Sequence, residues 1–440
     1  MKSALPKVLH PIGGRPMIAR VLDTARALGS SRPRVVYGHG GRQVPDALDD
    51  EDIDWREQRE RLGTGHALVQ ALPGIDDRAR LLVLYGDVPL LRPETLRALL
   101  GGCPEQGLAV LSVELEDPAG YGRIVRDAHG ALLRIVEEKD ADPTERAIRE
   151  VNTGIMTARA GHFRRWLRSV GKRNAQGEYY LTDCIELAVG EGSTAVAITC
   201  GDREEVTGIN DRAQLARCER IFQLRQADRL MANGVTLADP ARLDVRGEIE
   251  AATDVFIDVN VVLEGTVRLG ERARIGPNCT VRDAEIGAGS EILPNSVIED
   301  AVIGRNCRVG PFSRVRPETR LADGVHLGNF VEIKKSCIGD LSKVNHLSYI
   351  GDTDGGTRVN VGAGTITCNY DGAYKHRTII EDDAFIGSDT QLVAPVRVGA
   401  GATIGAGSTI TRDTPAGELT LSRAPQTTVK GWERPQKERK

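Results

Sequence analysis

The sequence predicts two domains in series, an α/β domain in the first half and a parallel β-helix in the second. Three observations support this prediction. Apolar, strand-like runs alternate with helical segments over residues 1–211. A helical connector follows over residues 212–233. Aliphatic residues then recur every six positions within residues 234–440.

Four apolar runs in the first half are predicted to be strands. They cover residues 34–38, 81–87, 109–113 and 195–199 and are rich in valine, leucine and isoleucine. A short helix is expected over residues 93–100, with glutamate and threonine in its first turn. This alternation of strands and helices is typical of an α/β domain.

The connector has helical rather than strand periodicity. Its apolar residues recur at helical spacing, and Asn233-Gly234 supplies a C-terminal stop. These apolar residues are Leu215, Cys218, Ile221, Phe222, Leu230 and Met231. We therefore expect one helix to join the two domains.

The second half has a six-residue aliphatic period, which fits neither a helix nor ordinary strand alternation. It is typical of stacked short coils in a parallel β-helix, three hexads to a turn, with each aliphatic residue pointing into a narrow core. The count slips by one in places and then resumes, and residues 368–377 do not fit it, so they are expected to form a protruding loop. The aliphatic positions are Ile257, Leu263, Leu269, Ile275, Val281, Ile286, Ile292, Ile298, Ile303, Val309, Val315, Leu321, Leu327, Ile333, Ile338, Val344, Ile350, Ile380, Ile386, Leu392, Val398, Ile404 and Ile410.

Composition and charge limit the classes of function. The net charge is −4, from 58 Lys+Arg against 62 Asp+Glu, so no broad basic surface is expected to bind nucleic acid. The eight cysteines form no C-x-x-C pair, which argues against a zinc knuckle or a redox motif. No apolar run has the length of a membrane span, and no signal sequence is recognised. We therefore expect a reduced, cytoplasmic protein.

One histidine of the predicted β-helix is a candidate general base. His346 lies in the run NHLSYI beside an expected coil corner, and neutral imidazole can take a proton from an attacking amine at pH 7. Cationic side chains in nearby segments would bind a sugar phosphate. These segments supply Arg316, Glu332, Lys334, Asn360, Asn369, Tyr370 and Lys375. An ordinary surface histidine is the alternative, and the repeat with its loop disfavours it.

Several turns of the first half have features of a nucleotide site. The run LGTGHA, residues 62–67, is a Gly-rich turn that suits an anion or a nucleobase, although a simple tight turn is the alternative. Asp87, in the run YGDVPL, follows an apolar strand, where open α/β sheets bind ligands and a carboxylate suits Mg²⁺. The turns at residues 120–123 and 150–154 either line a sugar pocket or are plain turns.

Taken in order, these motifs resemble the bacterial family of bifunctional N-acetylglucosamine-1-phosphate uridylyltransferases / glucosamine-1-phosphate N-acetyltransferases. The resemblance runs nearly end to end. The matching runs are LPKVLHPIGGRPMI, LGTGHA, LYGDVPL, GYGRIVR, EVNTGI, NAQGEYYLTD, TGIND, LGNFVEIKKS, NHLSYIGD, NVGAGTITCNYDG, IGSDTQLVAPV and SRAPQ. The resemblance implies a nucleotidyltransferase-like (Rossmann-like) α/β domain followed by a left-handed parallel β-helix, and the handedness follows from the resemblance alone.

The resemblance also assigns roles to residues. His346 is the implied general base of N-acetylation, and Asp87 and Asn210 are the implied ligands of Mg²⁺. The implied contacts to UTP or to the UDP-sugar are Lys7, Gln58, Gly63, Thr64, Tyr85, Gly86, Asp87, Gly122, Glu137, Asn152 and Asn210. Those to glucosamine 1-phosphate are Arg316, Lys334, Tyr349, Asn360 and Lys375. Those to acetyl-CoA are Ala363, Asn369, Tyr370, Ser388, Ala406 and Arg423.

The implied activity has two steps. Glucosamine 1-phosphate is acetylated with acetyl-CoA, and the resulting N-acetylglucosamine 1-phosphate then takes a uridylyl group from UTP, releasing pyrophosphate. The family's acetyltransferase domain is a trimer with sites between subunits, so a homotrimer is expected. The alternatives are an acetyltransferase with an inactive first domain, a non-catalytic β-helix assembly protein, and a β-helix lyase with a metal held by His326, His346 or His376.

One family feature does not occur in the printed sequence. The family opens with a hydrophobic strand and a Gly-rich loop, ending in Thr-Arg, that wraps the nucleotide phosphates, whereas this sequence starts just after that point. Either the start codon lies upstream or the protein lacks the segment. In the second case we expect unpaired strand edges and slow uridylyl transfer.

Overall fold

The computed structural model describes residues 1–38, 40–48, 50–435 and 437. The chain divides into two compact units, Met1–Phe222 and Gln223–Lys440. The division falls inside one helix, Arg212–Ala232, so each unit contains part of the predicted connector. In the part of the chain that the structure describes, no helix is long and apolar enough to cross a membrane.

The first unit has α/β architecture and begins with a short 3-10 helix, Lys7–Leu9. Its α-helices, in the described ranges, are α1 (Met17–Ala27), α2 (Gln43–Leu48), α3 (Thr64–Ala71), α4 (Pro93–Gly102), α5 (Pro143–Arg146), α6 (Ala160–Leu167) and α7 (Asp183–Gly190); α8 is Arg212–Ala232. Its strands are β1 (Pro11–Ile12), β2 (Arg15–Pro16), β3 (Arg34–Tyr37), β4 (Asp54–Glu57), β5 (Arg80–Val83), β6 (Leu108–Glu114), β7 (Arg123–Arg126), β8 (Leu132–Val136), β9 (Glu150–Arg159) and β10 (Ala195–Thr199).

A mixed six-stranded sheet forms the centre of the first unit. Its order is β10–β6–β9–β7–β8, and β5 pairs antiparallel with β9. Alternate residues of β6 face opposite sides of the sheet. Val110 packs with α3, α6 and α7 on one side, whereas Leu111 packs with α4 on the other. Because helices cover both sides, nearly every residue of this strand is buried, which explains its continuous apolar run.

β3 and β5 are two of several strands in the first unit that pair with a single neighbour. In the described residues β3 pairs with β4 in a separate parallel sheet, and β5 pairs with β9 alone. The sequence predicts a buried strand at β5, but all four of its residues are half-buried because one edge lacks a partner strand. Each of these two strands therefore has one edge without a partner strand in the part of the chain that the structure describes.

The second unit consists of short parallel strands. They are β11 (Thr236–Leu237), β12 (Leu243–Ala251), β13 (Phe256–Ile257), β14 (Val261–Leu269), β15 (Arg274–Ile275), β16 (Thr280–Ile286), β17 (Glu291–Ile292), β18 (Val297–Ile303), β19 (Arg308–Val309), β20 (Arg314–Val315), β21 (Thr319–Leu321), β22 (His326–Asn329), β23 (Glu332–Lys334), β24 (Cys337–Ile338), β25 (Lys343–His346), β26 (Tyr349–Gly351), β27 (Thr353–Gly355), β28 (Asn360–Val361), β29 (Ile366–Cys368), β30 (Thr378–Ile380), β31 (Phe385–Ile386), β32 (Gln391–Val393), β33 (Val396–Val398), β34 (Thr403–Ile404), β35 (Thr409–Ile410) and β36 (Leu419–Thr420). A second 3-10 helix, Pro240–Arg242, precedes β12.

These strands stack into a β-helix with a continuous core. One sheet of eleven strands runs from β11 to β36. The other strands form a single sheet of fifteen strands. In its early coils the long strands β12, β14, β16 and β18 pair in succession, and β18 then pairs with both β20 and β21, so that the sheet continues as two rows of short strands. Partner residues on successive coils are 18 positions apart, as for Ile257 and Ile275, or 17, as for Ile275 and Ile292. Each slip of one position in the six-residue count corresponds to a coil of 17 residues instead of 18. All the predicted aliphatic positions are buried in one cluster.

The predicted loop interrupts this stack. β29 ends at Cys368 and β30 begins at Thr378, and the coil that contains the loop separates the partners Gly355 and Ile380 by 25 positions. The loop closes with a bridge between Tyr370 and Lys375. It therefore protrudes from the β-helix, as predicted.

One corner of the β-helix exposes large apolar side chains. Asn260, Asn278 and Asn295, which tolerate positive φ, occupy this corner in the early coils. Further along, Phe312, Phe330 and Leu347 take positive φ and are 50%, 54% and 64% exposed. The two phenylalanine rings stack with centroids 5.4 Å apart. We call Phe312, Phe330 and Leu347 the apolar corner.

Candidate active sites

Three predicted nucleotide-site residues meet at one point of the first unit. Lys7 lies in the first 3-10 helix, Asp87 in the turn after β5, and Asn210 shortly before α8. Lys7 Nζ donates to Asp87 Oδ2 at 2.5 Å and to Asn210 Oδ1 at 2.9 Å. Because one carboxylate and one amide oxygen converge on a single cationic group, this donor set fits Mg²⁺.

The Gly-rich turn leads into α3, as predicted. Gly63 has φ of +106°, and a Cβ added there would lie 2.6 Å from the carbonyl oxygen of Tyr179, so the turn requires glycine. The side-chain amide of Gln58 donates to Gly63 O at 3.2 Å. Thr64 Oγ1 accepts from the backbone N–H of Leu181 at 3.1 Å. The predicted base-binding residues are thus neighbours.

Tyr85 and Gly86 line the segment between β5 and Asp87. Burial raises the pKa of Tyr85 to about 12, so its hydroxyl stays protonated. A Cβ added at Gly154 would lie 2.6 Å from the Tyr85 ring, and one added at Gly86 would lie 3.2 Å from Val8. The two glycines let the chain pass close to these side chains.

The predicted sugar-binding residues are also adjacent. The backbone N–H of Asn152 donates to Gly122 O at 2.8 Å, and a Cβ added at Gly122 would lie 3.3 Å from Glu137 Oε2. Thr182 Oγ1 donates to Glu137 Oε1 at 3.2 Å. Burial raises the pKa of the Glu137 carboxyl. Thr182 lies in the run NAQGEYYLTD that carries the resemblance, but no role was predicted for it.

In the second unit, His346 and predicted acetyl-CoA residues form one column along a corner. The carbonyl oxygens of His346, Ala363 and Ser388 each accept a backbone hydrogen bond from the next coil, at 3.3, 2.7 and 2.8 Å. The guanidinium of Arg423 donates to the carbonyl oxygen of Ala406 at 2.8 Å. Since neighbouring strands are about 4.8 Å apart, the column extends roughly 14 Å from His346 to Ala406.

His346 is exposed at one end of this column. Its Nδ1 lies 3.2 Å from Asn329 Oδ1. An amide oxygen only accepts, so this contact places the imidazole proton on Nδ1 and leaves a lone pair on Nε2. Sequence reasoning missed Asn329. The coil length could have identified Asn329, because it precedes His346 by one coil and the two residues pair in register on neighbouring strands.

Three predicted sugar-phosphate residues form a cationic cluster. The pKa of Lys334 is lowered, chiefly by its hydrogen bond with Lys375 and by the charge of that lysine, with a smaller contribution from Arg316. Arg316 is also paired with Glu332 at 2.7 Å. Mutual repulsion of the cations favours a bound dianion, because an anion relieves it.

Two polar side chains border this cluster. Asn369 Nδ2 donates to Asp352 Oδ2 at 2.5 Å and lies 3.5 Å from Tyr349 Oη. A Cβ added at Gly351 would lie 2.5 Å from Tyr349 Oη, so the position accommodates only glycine.

Two predicted residues make no side-chain hydrogen bond to the cluster among the described residues. Tyr370 Oη donates to Gly372 O at 2.6 Å within the loop. Asn360 begins β28, in register with Lys343, and no side-chain hydrogen bond among the described residues joins it to the cluster. Contacts among the described residues thus connect four of the five predicted glucosamine 1-phosphate residues, Arg316, Lys334, Tyr349 and Lys375, and no such contact connects Asn360 to them.

The metal-dependent lyase alternative lacks the ligand cluster that it requires. Within the described residues, no three His, Cys, Asp or Glu side chains are placed to hold a metal ion together. His376 is instead paired with Asp371 in the loop, at 2.7 Å. Among the described residues, His326, His346 and His376 belong to no such group.

Comparison with known sequence families matches both units. Residues 1–153 match the MobA-like NTP transferase domain, residues 245–353 the GMPPB C-terminal domain, and residues 377–412 the bacterial transferase hexapeptide (six repeats). The bifunctional protein GlmU of Methylococcus capsulatus is 61% identical over 441 residues, which cover 100% of this chain and 96% of that protein. The bifunctional protein GlmU of Azoarcus sp. is 57% identical over 439 residues, and that of Ralstonia nicotianae 56% over 440, each covering 100% of this chain and 97% of the relative.

The chain belongs to the bifunctional GlmU family. This membership confirms the family predicted from the motifs, and it confirms the fold class, because the GlmU-family chain combines an NTP-transferase unit with a hexapeptide-repeat β-helix. The predicted enzyme, with both uridylyltransferase and acetyltransferase activities, is likewise confirmed, and an acetyltransferase alone is not favoured.

Proposed function

We propose that the chain synthesises UDP-N-acetylglucosamine in two steps, using a different unit for each. Residues 234–440 acetylate glucosamine 1-phosphate with acetyl-CoA. Residues 1–211 then transfer a uridylyl group from UTP to the N-acetylglucosamine 1-phosphate. The observation that carries the acetyl step is the column of His346, Ala363, Ser388 and Ala406, which extends from a candidate base along one corner of the same β-helix that contains the cationic cluster.

In the acetyl step, His346 Nε2 takes a proton from the attacking amine. The amine nitrogen bonds to the thioester carbonyl carbon, the carbon–sulfur bond breaks, and the CoA thiolate leaves and is protonated. The contact with Asn329 supports this role, because it keeps the proton on Nδ1 and leaves Nε2 free to accept. Acetyl-CoA would lie along the column and place its thioester near His346.

The cationic cluster would bind the phosphate of glucosamine 1-phosphate. Arg316, Lys334 and Lys375 offer charge-assisted donors, while Tyr349 and Asn360 would contact the sugar. Asn369, Tyr370 and Arg423 would complete the acetyl-CoA contacts together with the column. The close spacing of the lysines supports a dianionic ligand over a neutral one.

In the uridylyl step, a phosphate oxygen of N-acetylglucosamine 1-phosphate attacks the α-phosphorus of UTP, and pyrophosphate leaves. The base would be bound by Gln58, Gly63 and Thr64. The sugar would be bound by Gly122, Glu137 and Asn152, and Tyr85 and Gly86 would line the site next to Asp87. Lys7 would contact phosphate. Asp87 and Asn210 would hold Mg²⁺, which when bound neutralises phosphate charge.

The working form would be a cytoplasmic homotrimer. The apolar corner supports self-association, because three large apolar side chains at strained backbone positions are exposed next to His346. A neighbouring subunit that covers this corner would also enclose the acetyl site.

Separate assays of the two half-reactions test this proposal. CoA release is followed with glucosamine 1-phosphate and acetyl-CoA, and pyrophosphate release with N-acetylglucosamine 1-phosphate and UTP. We expect a chelator to abolish pyrophosphate release and to leave CoA release unchanged, because only the uridylyl step uses Mg²⁺. CoA release without any pyrophosphate release at saturating Mg²⁺ would restrict the function to acetyl transfer.

A further inference from the structure

His66, in the Gly-rich turn, is held between two side-chain amides. Its Nδ1 lies 3.0 Å from Gln58 Nε2, and its Nε2 lies 3.2 Å from the amide of Gln70. The imidazole also stacks on the ring of Tyr179, with centroids 6.4 Å apart and planes at 28°. The Gln58 amide makes a second contact, to Gly63 O at 3.2 Å. Four groups thus form one chain, Gly63–Gln58–His66–Gln70.

The amides of Gln58 and Gln70 both face an imidazole nitrogen with their NH₂ group, so one of the two must turn, and the less costly choice keeps the shorter contact, between Gln58 and Gly63. A carbonyl oxygen only accepts, so the Gln58 amide must turn its NH₂ group toward Gly63. The same NH₂ group faces His66 Nδ1, which therefore accepts. A neutral imidazole has one N–H, so the proton lies on Nε2 and Gln70 must turn its amide oxygen toward it. Turning Gln70 replaces its 3.4 Å donation to the His66 carbonyl by an oxygen–oxygen contact, which costs less than the same change at the 3.2 Å contact between Gln58 and Gly63.

We infer that His66, by accepting at Nδ1, holds the Gln58 amide together with Gly63 in one orientation and thereby strengthens the preference of the nucleotide site for uracil over cytosine. With both N–H bonds of Gln58 used by Gly63 and His66, its Oε1 is the group left to meet a base. The inference rests on the proposed function, in which Gln58 contacts the base.

The preference follows from the edges of the two bases. Uracil presents an N3–H donor, which an amide oxygen accepts. Cytosine presents an N3 lone pair, which would face the Gln58 oxygen and repel it. A polar group that meets the wrong partner loses its own hydrogen bond and leaves a second group unpaired, which is why such sites discriminate strongly. His66 acts through Gln58 and is a positioning residue.

Two substitutions separate this role from simple packing. His66→Phe keeps a ring on Tyr179 but removes Nδ1, so Gln58 is oriented by Gly63 alone, and we expect the ratio of UTP to CTP affinity to fall about five-fold. Gln70→Lys places a donor against His66 Nε2 and drives the proton to Nδ1. A proton on Nδ1 favours the opposite orientation of the Gln58 amide, with its oxygen toward His66 and at the expense of its contact with Gly63, and we expect a larger fall in the ratio. Val69→Ala, at an exposed position of α3, is the matched control.

The experiment measures binding of UTP and of CTP to the full chain by titration calorimetry, with melting temperatures to confirm folding. Nitrogen-15 spectra of histidine-labelled protein identify the His66 tautomer, with His66→Phe providing the assignment. We expect the Nε2–H tautomer, a UTP preference in the unchanged chain and in Val69→Ala, and a reduced one in the other two variants.

The possible outcomes distinguish the role of His66 from the proposed function, in which Gln58 contacts the base. A chain that binds UTP and CTP equally well overturns the assignment of the base site, and the inference with it. A clear UTP preference that His66→Phe and Gln70→Lys both retain overturns the inference alone, as does a His66 signal of the Nδ1–H tautomer.

Discussion

Replacing His346 by alanine should abolish most acetyl transfer without unfolding the protein. The side chain is exposed, and its hydrogen bond is the 3.2 Å contact with Asn329, so little packing is lost and the free energy of unfolding should change by less than about 0.5 kcal/mol. Loss of a general base lowers a rate by roughly 10² to 10⁴, which corresponds to about 3 to 5 kcal/mol of transition-state stabilisation.

Asn329 provides a second test of the same reasoning. Asn329→Ala removes the acceptor that fixes the His346 tautomer, and the loss of one neutral hydrogen bond should lower CoA release about five-fold. Asn329→Asp retains an acceptor and should restore most of that loss. Because Asn329 acts through His346, adding Asn329→Ala to His346→Ala should cause no further fall.

The assay is CoA release at saturating acetyl-CoA and glucosamine 1-phosphate, with melting temperatures measured alongside. His129→Ala, at an exposed histidine in the turn between β7 and β8, is the control. Turnover of His346→Ala within a few-fold of the unchanged protein would remove His346 from the mechanism. An additional loss in the double variant would show that Asn329 acts by a separate route.

Three further predictions concern the other features of the chain. Lys7→Met should lower pyrophosphate release by roughly 10² to 10³ and leave CoA release from the same sample unchanged, and a parallel fall in both would contradict two separate sites. Phe312→Asp combined with Phe330→Asp should convert the proposed trimer to monomer in sedimentation velocity, and an intact trimer would exclude the apolar corner as its interface. Burial raises the pKa of Asp183 from 3.8 to about 6, so its ionisation destabilises the fold above pH 6. Asp183→Asn should therefore raise the melting temperature at pH 8, with the gain lost as pH falls from 6 to 4; an equal gain at both ends would refute the assignment.

The six-residue aliphatic period predicted the β-helix and its buried positions, but it identified no core position between Ile350 and Ile380. The core positions there are Gly355, Val361 and Thr367, of which only one is aliphatic. Thr367 is buried, and its hydroxyl is bonded to the backbone N–H of Gly351 at 2.7 Å. A polar residue with a satisfied hydrogen bond fills a core position as well as valine does, and a hydrophobic period cannot detect it.

The active sites were predicted from motifs, and the contacts that orient their side chains were not. Asn210 lies far along the chain from Lys7, and neither motif indicates that the Lys7 ammonium donates a hydrogen bond to the Asn210 side chain. His66 stands within a quoted motif, but its two amide partners become visible only in three dimensions. Asn329 could have been found from the coil length, because residues one coil apart are neighbours.

The two units differ in predictability because they differ in the range of their contacts. In the β-helix, each strand pairs with residues about one coil away, so a local period fixes the fold, the register and the neighbours of His346 together. In the first unit, β5 pairs with β9, and Arg80 meets Arg159, across several intervening elements. No local pattern encodes that pairing, so the sequence predicts the strands but not their order. The edges of β3 and β5 that lack a partner strand among the described residues have the same explanation. Which edges are paired depends on the order of the strands, and a run of apolar residues does not specify that order.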